Sequence, residues 1–304
     1  MSLSDRIARL ALQTKPKNVH RTSRVVLLTL TLLFCSATLT YAARRSGFTS
    51  FDFPGAIETQ GGGITAAGEI LGRYVSTDGK LHAFVLQKGN FTSIDFPGAD
   101  FTDAGWINSR GQIVGTYGFV DGKVLAYRLS AGTFTSIEYP GAEVTTGWGI
   151  SPAGAIVGLA LTSGIAHGYL LIHGNFTQID FPGAVQTWAT MISNGRIVGN
   201  FQDAGGIHGF VLSGGNFQSI DFPGGGPTWI TGINPRGDIV GYYFNGPAET
   251  DMHGFLLRKG NFESIDIPGA LFTEANGINP EGDIVGRYAS GDGKAHGYLL
   301  SRVK

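Results

Sequence analysis

An all-β fold built from repeated antiparallel units is predicted by three observations. A Pro-Gly pair recurs at Pro54, Pro97, Pro140, Pro182, Pro223 and Pro268, at spacings of 43, 43, 42, 41 and 45 residues. A fixed period of this size is the mark of a repeat architecture. Each unit holds four short apolar runs rich in Val, Ile, Phe and Tyr, separated by Gly, Asn, Pro and Asp. That composition suits short strands joined by turns. No stretch of residues 47–304 keeps a 3.6-residue apolar period, so almost no helix is expected there.

The unit between Pro223 and Pro268 shows the strands in order. They are the runs Thr228 to Asn234, Asp238 to Tyr243, His253 to Leu257 and Phe262 to Ile267. Asn234-Pro235-Arg236-Gly237 separates the first two, with Pro where φ near −65° is wanted and Gly where φ is free to turn positive. Asp78-Gly79, Asp121-Gly122 and Asp292-Gly293 mark hairpins between second and third strands. Phe-Pro-Gly suits a type II turn into the next unit.

Four antiparallel strands in about 40 residues fit a propeller blade. The chain enters with a lone fourth-type strand, Phe48 to Phe53, and leaves after a third-type strand, His296 to Leu300. The expected fold is therefore a six-bladed β-propeller of four-stranded blades, closed when the N-terminal strand completes the last blade. Closure removes an exposed sheet edge. An open solenoid is the alternative, but it needs atypical end repeats, and the end repeats here are ordinary.

Residues 1–46 differ in kind. Six basic residues, from Arg6 to Arg24, precede an apolar run from Val25 to about Leu39 and the small pair Ala42-Ala43. This is the pattern of a secretory signal peptide, with an uncleaved membrane anchor as the alternative. Cys35 follows the bulky Phe34, a poor setting for lipoprotein processing. Cleavage after Ala43 would remove six basic residues and one acid, leaving a net charge of −6 and no cysteine. A nucleic-acid partner, which calls for a basic surface, is disfavoured. A secreted or periplasmic monomer is expected, touching membrane only if the leader is retained. The Asn-x-Thr triplets at Asn90 and Asn175 fall on the repeat's own turn.

The chain resembles the HAF repeat family of extracellular bacterial proteins. The likeness rests on Gly-Ile-Asn-Pro-x-Gly-Asp-Ile-Val-Gly and on a His-Ala-Phe-like triplet. The triplet reads His82-Ala83-Phe84, His167-Gly168-Tyr169, His208-Gly209-Phe210, His253-Gly254-Phe255 and His296-Gly297-Tyr298. The second unit departs, with Leu125-Ala126-Tyr127, and the fourth is shortened to Met191-Ile192-Ser193-Asn194-Gly195. The resemblance covers residues 47–304. It implies export and a repetitive β fold, and no activity.

Histidines that recur in nearly every unit read as construction rather than chemistry. They lack the close His spacings of a metal site, and no cofactor is expected. The acids before the Pro-Gly turns recur likewise: Asp52, Asp95, Glu138, Asp180, Asp221 and Asp266. The second unit alone lacks the histidine and alone carries Glu. That joint exception predicts a His–Asp contact within each unit. Nucleophile-elbow, phosphate-loop, zinc-protease and dinucleotide motifs are absent from the sequence.

Positions that break the repeat are the candidate site. Four residues before the fixed Ile of the first strand stand Gln60, Asp103, Thr146, Trp188, Trp229 and Glu274. All four tryptophans lie on first strands, Trp106 and Trp148 included. Packing between blades is one account of them. The other is a ligand-binding mouth at the axis, carried by Asp103, Trp188, Trp229 and Glu274, that takes a glycan or protein ligand. Two functions are thus in view: a non-catalytic exported binding module, and a propeller enzyme acting on extracellular polysaccharide. The second would use Asp103 and Glu274, the unmatched acids.

Overall fold

The computed structural model describes residues 47–248 and 251–302, so the leader expectation for residues 1–46 lies outside the described residues. Among those residues no helix is long and apolar enough to cross a membrane. The chain is all-β. Five successive units, residues 58–94, 101–137, 144–179, 186–220 and 228–265, each form a four-strand antiparallel meander. The strands Phe272–Ile278, Ile284–Ala289 and Ala295–Leu300 are completed by Phe48–Phe51, which pairs antiparallel with Ala295–Leu300. Its register sets Phe48 opposite Leu300 and Phe51 opposite Gly297. One parallel bridge, Val144 opposite Val124, joins the second and third units.

Every first strand carries a one-residue bulge at the same place, between Gly61 and Gly63 in the first unit and between Ala275 and Gly277 in the sixth. The bulges increase twist and re-aim side chains. The side chain at the bulge then reaches the next unit: Thr190 and Thr231 donate to the carbonyls of Ile230 (3.1 Å) and Ala275 (2.7 Å). Asn276 donates to Gly61 O at 3.2 Å, and Asn279 to Thr65 O at 3.2 Å, so the sixth unit bonds to the first. The first strands therefore lie near one another, each at one edge of its own four-strand meander.

The repeated residues have repeated mechanical roles. The third-strand rings Phe84, Tyr127, Tyr169, Phe210, Phe255 and Tyr298 are wholly buried. Each sits over the glycine of Ile-Val-Gly. A Cβ on Gly241 would overlap the Trp229 carbonyl and come within 2.9 Å of the Phe255 ring, so no larger residue fits. The phenylalanine found before four of the Pro-Gly turns stacks on the next unit's second strand, as Phe53 does on Tyr74 at 3.7 Å and Phe222 on Tyr243 at 3.5 Å. Gly55 has φ +79°, and Ala56 N donates to Phe53 O at 3.0 Å, the geometry of the expected type II turn. A threonine six residues after the residue that precedes Pro-Gly accepts that residue's backbone N–H in all six units, for example Ile267 N to Thr273 Oγ1 at 3.1 Å.

Every histidine of the triplets meets the predicted acid through Nδ1. The distances are 2.6 Å for His82–Asp95, 2.9 Å for His167–Asp180, 2.8 Å for His208–Asp221 and 2.6 Å for His253–Asp266. His296 meets Asp52 at 3.0 Å, tying the last triplet to the N-terminal strand. In the exceptional second unit Leu125 is buried, and Glu138 reaches Lys123 Nζ instead, at 3.6 Å. Among the described residues no group of three or more His, Cys, Asp and Glu gathers to hold a metal.

Candidate functional site

The repeat-breaking positions sit near the starts of the first strands, at the end of the meander that also bears the Pro-Gly turns. The antiparallel register sets each beside a second-strand residue. Gln60 faces Arg73, Asp103 faces Thr116, Trp188 faces Asn200, Trp229 faces Tyr242 and Glu274 faces Arg287. The second-strand partners follow the fixed Ile-Val-Gly, and they too break the repeat: Arg73, Thr116, Leu159, Asn200, Tyr242, Arg287. Sequence reasoning missed them because it compared the units along first strands only. The same column-by-column comparison on second strands finds them.

The sixth, first and second units supply charge. Arg73 donates to Gln60 Oε1 through Nε (3.1 Å) and Nη2 (2.8 Å), and its Nη1 reaches Asp103 Oδ2 of the next unit at 2.9 Å. Both side chains are about one-eighth exposed, at 14 % and 13 %. Arg287 holds Glu274 with two bonds, 2.8 and 2.6 Å, and lies 5.3 Å from the Phe272 ring centre. Charge-assisted paired bonds of this kind fix a carboxylate's orientation. Asp103 and Glu274 are thus paired with arginines. Below Asp103, the buried phenol of Tyr127 donates to the Asp103 carbonyl at 3.2 Å. Burial first, then the nearby Asp103 and Asp95 carboxylates, push that phenol above its ordinary value, so it stays a donor.

The fourth and fifth units supply rings. Trp188 and Trp229 lie 5.6 Å apart at 41°, and Trp229 stacks on Tyr242 at 6.1 Å and 18°. Trp229 is half-buried. Trp188 is only 4 % exposed, so it supports the Trp229 ring and offers no face of its own. Trp106 is likewise buried, and Trp148 half-buried. The packing account therefore holds for Trp188 and Trp106 and leaves Trp229 available. The structure brings the sequence-selected residues together in pairs: Trp188 with Trp229, Asp103 with Arg73, Glu274 with Arg287.

No protein-family model matches the chain, and no curated protein sequence matches it. Solved structures do. A TolB-like protein from Agrobacterium tumefaciens aligns with TM-score 0.57 at 16 % identity, over 81 % of this chain and 91 % of that one. The Aleuria aurantia lectin, a six-bladed β-propeller with a described mode of fucose recognition, aligns with TM-score 0.50 at 14 % identity, over 83 % and 93 %. Virginiamycin B lyase from Staphylococcus aureus aligns with TM-score 0.51 at 12 % identity, over 84 % and 99 %. At these identities the likeness concerns the fold alone: an all-β chain of the β-propeller type.

Proposed function

We propose that this chain is an exported, non-catalytic six-bladed β-propeller of HAF-type repeats that works as a binding module for an extracellular glycan or protein. The blade count and the closing role of Phe48–Phe51 are supported by the six repeat registers, the pairing with Ala295–Leu300 and the bonds from the sixth unit to the first. Export is supported by the basic–apolar–small order of residues 1–43. The observation that carries the binding reading is where the repeat breaks. On a scaffold that keeps its turns, glycines and His–Asp pairs, the variable positions gather at one end of the first and second strands. There they form arginine–carboxylate pairs and a stacked Trp229–Tyr242 platform. An aromatic face beside fixed polar groups suits a sugar ring, whose C–H face packs on the indole while its hydroxyls bond to the charged groups. Propeller lectins among the structural neighbours bind fucose-bearing ligands, and the same class of ligand is the first to try here.

A glycan-array screen of the full chain, followed by titration of the best ligand against Trp229→Ala, tests this. Binding should fall at least about 10-fold, or roughly 1.4 kcal/mol, while the melting temperature stays within about 2 °C of the parent, less than 1 kcal/mol of stability. Unchanged binding, or a large loss of stability from this half-buried ring, would overturn the assignment.

A further inference from the structure

A second concavity lies at the opposite end of the strands, where the first-to-second and third-to-fourth turns gather. It is a cleft of about 690 Å³ between the fourth and fifth units, reached by Arg302 from the end of the sixth. Arg196, Arg236, Arg258, Lys259 and Arg302 line it, with Asp238 as the one lining acid among the described residues. Residues 47–304 hold 14 Lys and Arg in all, so more than a third of them share this one cleft.

The gathering is local to these units. Arg196 occupies the position before the second-strand Ile, where the other units carry Glu69, Gln112, Ala155, Asp238 and Asp283. Arg258 stands where the first four units have Gln87, Ser130, Ile172 and Ser213. Arg196 packs against the turn glycine Gly237 of the next unit. A Cβ placed on Gly282 would lie 2.7 Å from Arg236 Nη2, 3.4 Å from Arg258 Nη2 and 3.6 Å from Arg302 Cδ, so three arginines surround one point. Asp238 offsets one charge, holding Arg258 at 3.2 Å and Arg236 at 3.4 Å. Its carboxyl is buried, which would raise its pKa, but the bonds from Arg258 and Asn234 and the charges of Arg258 and Arg236 outweigh burial and keep it ionised. The nearby Asp283 is engaged by Asn279 and by Arg302 N. The five lining cations thus outnumber Asp238 and Asp283 in a concave place, where like charges repel unless an anion joins them.

We infer that this cleft is a second ligand site, for an acidic oligosaccharide bearing carboxylate or sulfate groups. The basic rim would pair with the anionic groups. The aliphatic wall, with Ile239 and Leu257, and the polar Ser213 and Gln218 would meet the sugar backbone. Among the described residues no aromatic lines the cleft, so a nucleic acid would find no ring there on which to stack its bases. The net negative charge of residues 44–304 would repel a long polyanion beyond the cleft.

The test uses the full chain and four probes of equal length: a sulfated heparin fragment, an oligogalacturonate, a neutral dextran oligomer and oligothymidylate. One or both acidic saccharides should bind, more weakly as salt rises, and the first two arms tell sulfate from carboxylate. The variant Lys259→Glu with Arg302→Glu, both exposed, should lose at least about 10-fold affinity. Lys88→Glu with Lys80→Glu is the matched control, since Lys88 holds the repeat position of Lys259 without the surrounding arginines; it should bind as the parent does. If the reversal variant fails to fold, Lys259→Gln with Arg302→Gln replaces it. Trp229→Ala should leave this binding intact, which separates this site from the mouth. Equal losses in both charge variants, absence of binding to either acidic saccharide, or preference for oligothymidylate would each overturn the inference.

Discussion

Thr273→Val removes one acceptor and almost nothing else. Thr273 is 1 % exposed, and its hydroxyl takes the backbone N–H of Ile267, itself 5 % exposed, at 3.1 Å. Valine has nearly the same shape, so no cavity opens. The Ile267 N–H is left buried without its acceptor, a loss of about 1–3 kcal/mol. For a chain of this size each kcal/mol moves the melting temperature by about 2–4 °C, so a drop of about 4–8 °C is expected for a mid-range loss of about 2 kcal/mol. Thermal and denaturant unfolding of the variant beside the exposed Thr135→Val measures it, the control remaining within about 0.5 kcal/mol of the parent. If Thr273→Val also stays within about 0.5 kcal/mol, the hydroxyl is not what holds the Pro-Gly turn, and the same bond in the other five units loses its assigned importance.

The His253–Asp266 bond joins side chains that are 27 % and 31 % exposed. A double-mutant cycle with His253→Leu and Asp266→Leu should therefore give a coupling of only about 0.5–1 kcal/mol, and strict additivity would show that the pair merely coexists. His296 answers to pH. Burial lowers its pKa, but Asp52 and then Asp292 outweigh burial and raise it above the ordinary 6.5. A raised folded value means the stabilisation is full below about pH 6.5 and fades as pH climbs through the folded value. Amide exchange of Thr49 and Ser50 should quicken across that rise in the parent and change less in His296→Asn; equal pH responses would refute the linkage.

Much of the fold was legible because its signals are periodic. Turn chemistry fixes φ locally, and five His–Asp pairs could be read from a single joint exception, Leu125 with Glu138. The replacement bond from Lys123 to Glu138 was not foreseen: it needs the longer Glu side chain to reach across a hairpin. The candidate mouth was half legible. First-strand breaks picked out Asp103, Trp229 and Glu274, but Arg73 and Arg287 stand opposite or beside them through strand register, which first-strand comparison does not contain. Trp188 could not be told from Trp229, because both hold the same repeat position and only neighbouring rings decide which is covered. The basic cleft escaped notice for a related reason: its cations come from three units and become neighbours only in space.

The bond between Gly47 O and Ser301 N, with Phe48–Phe51 alongside, has a consequence for biogenesis. Phe48–Phe51 finds its partner some 250 residues later in the chain, since Phe48 lies opposite Leu300. Until then it must wait unpaired, whether on the ribosome or emerging from a translocation pore, while the units behind it form from local hairpins. Joining such distant segments is slow because the loop between them must be closed first. The two chain ends of the domain also leave it side by side, so a passenger fused at either end would be displayed at the same spot, and a new chain start cut into any exposed turn would turn this late, distant pairing into a local hairpin.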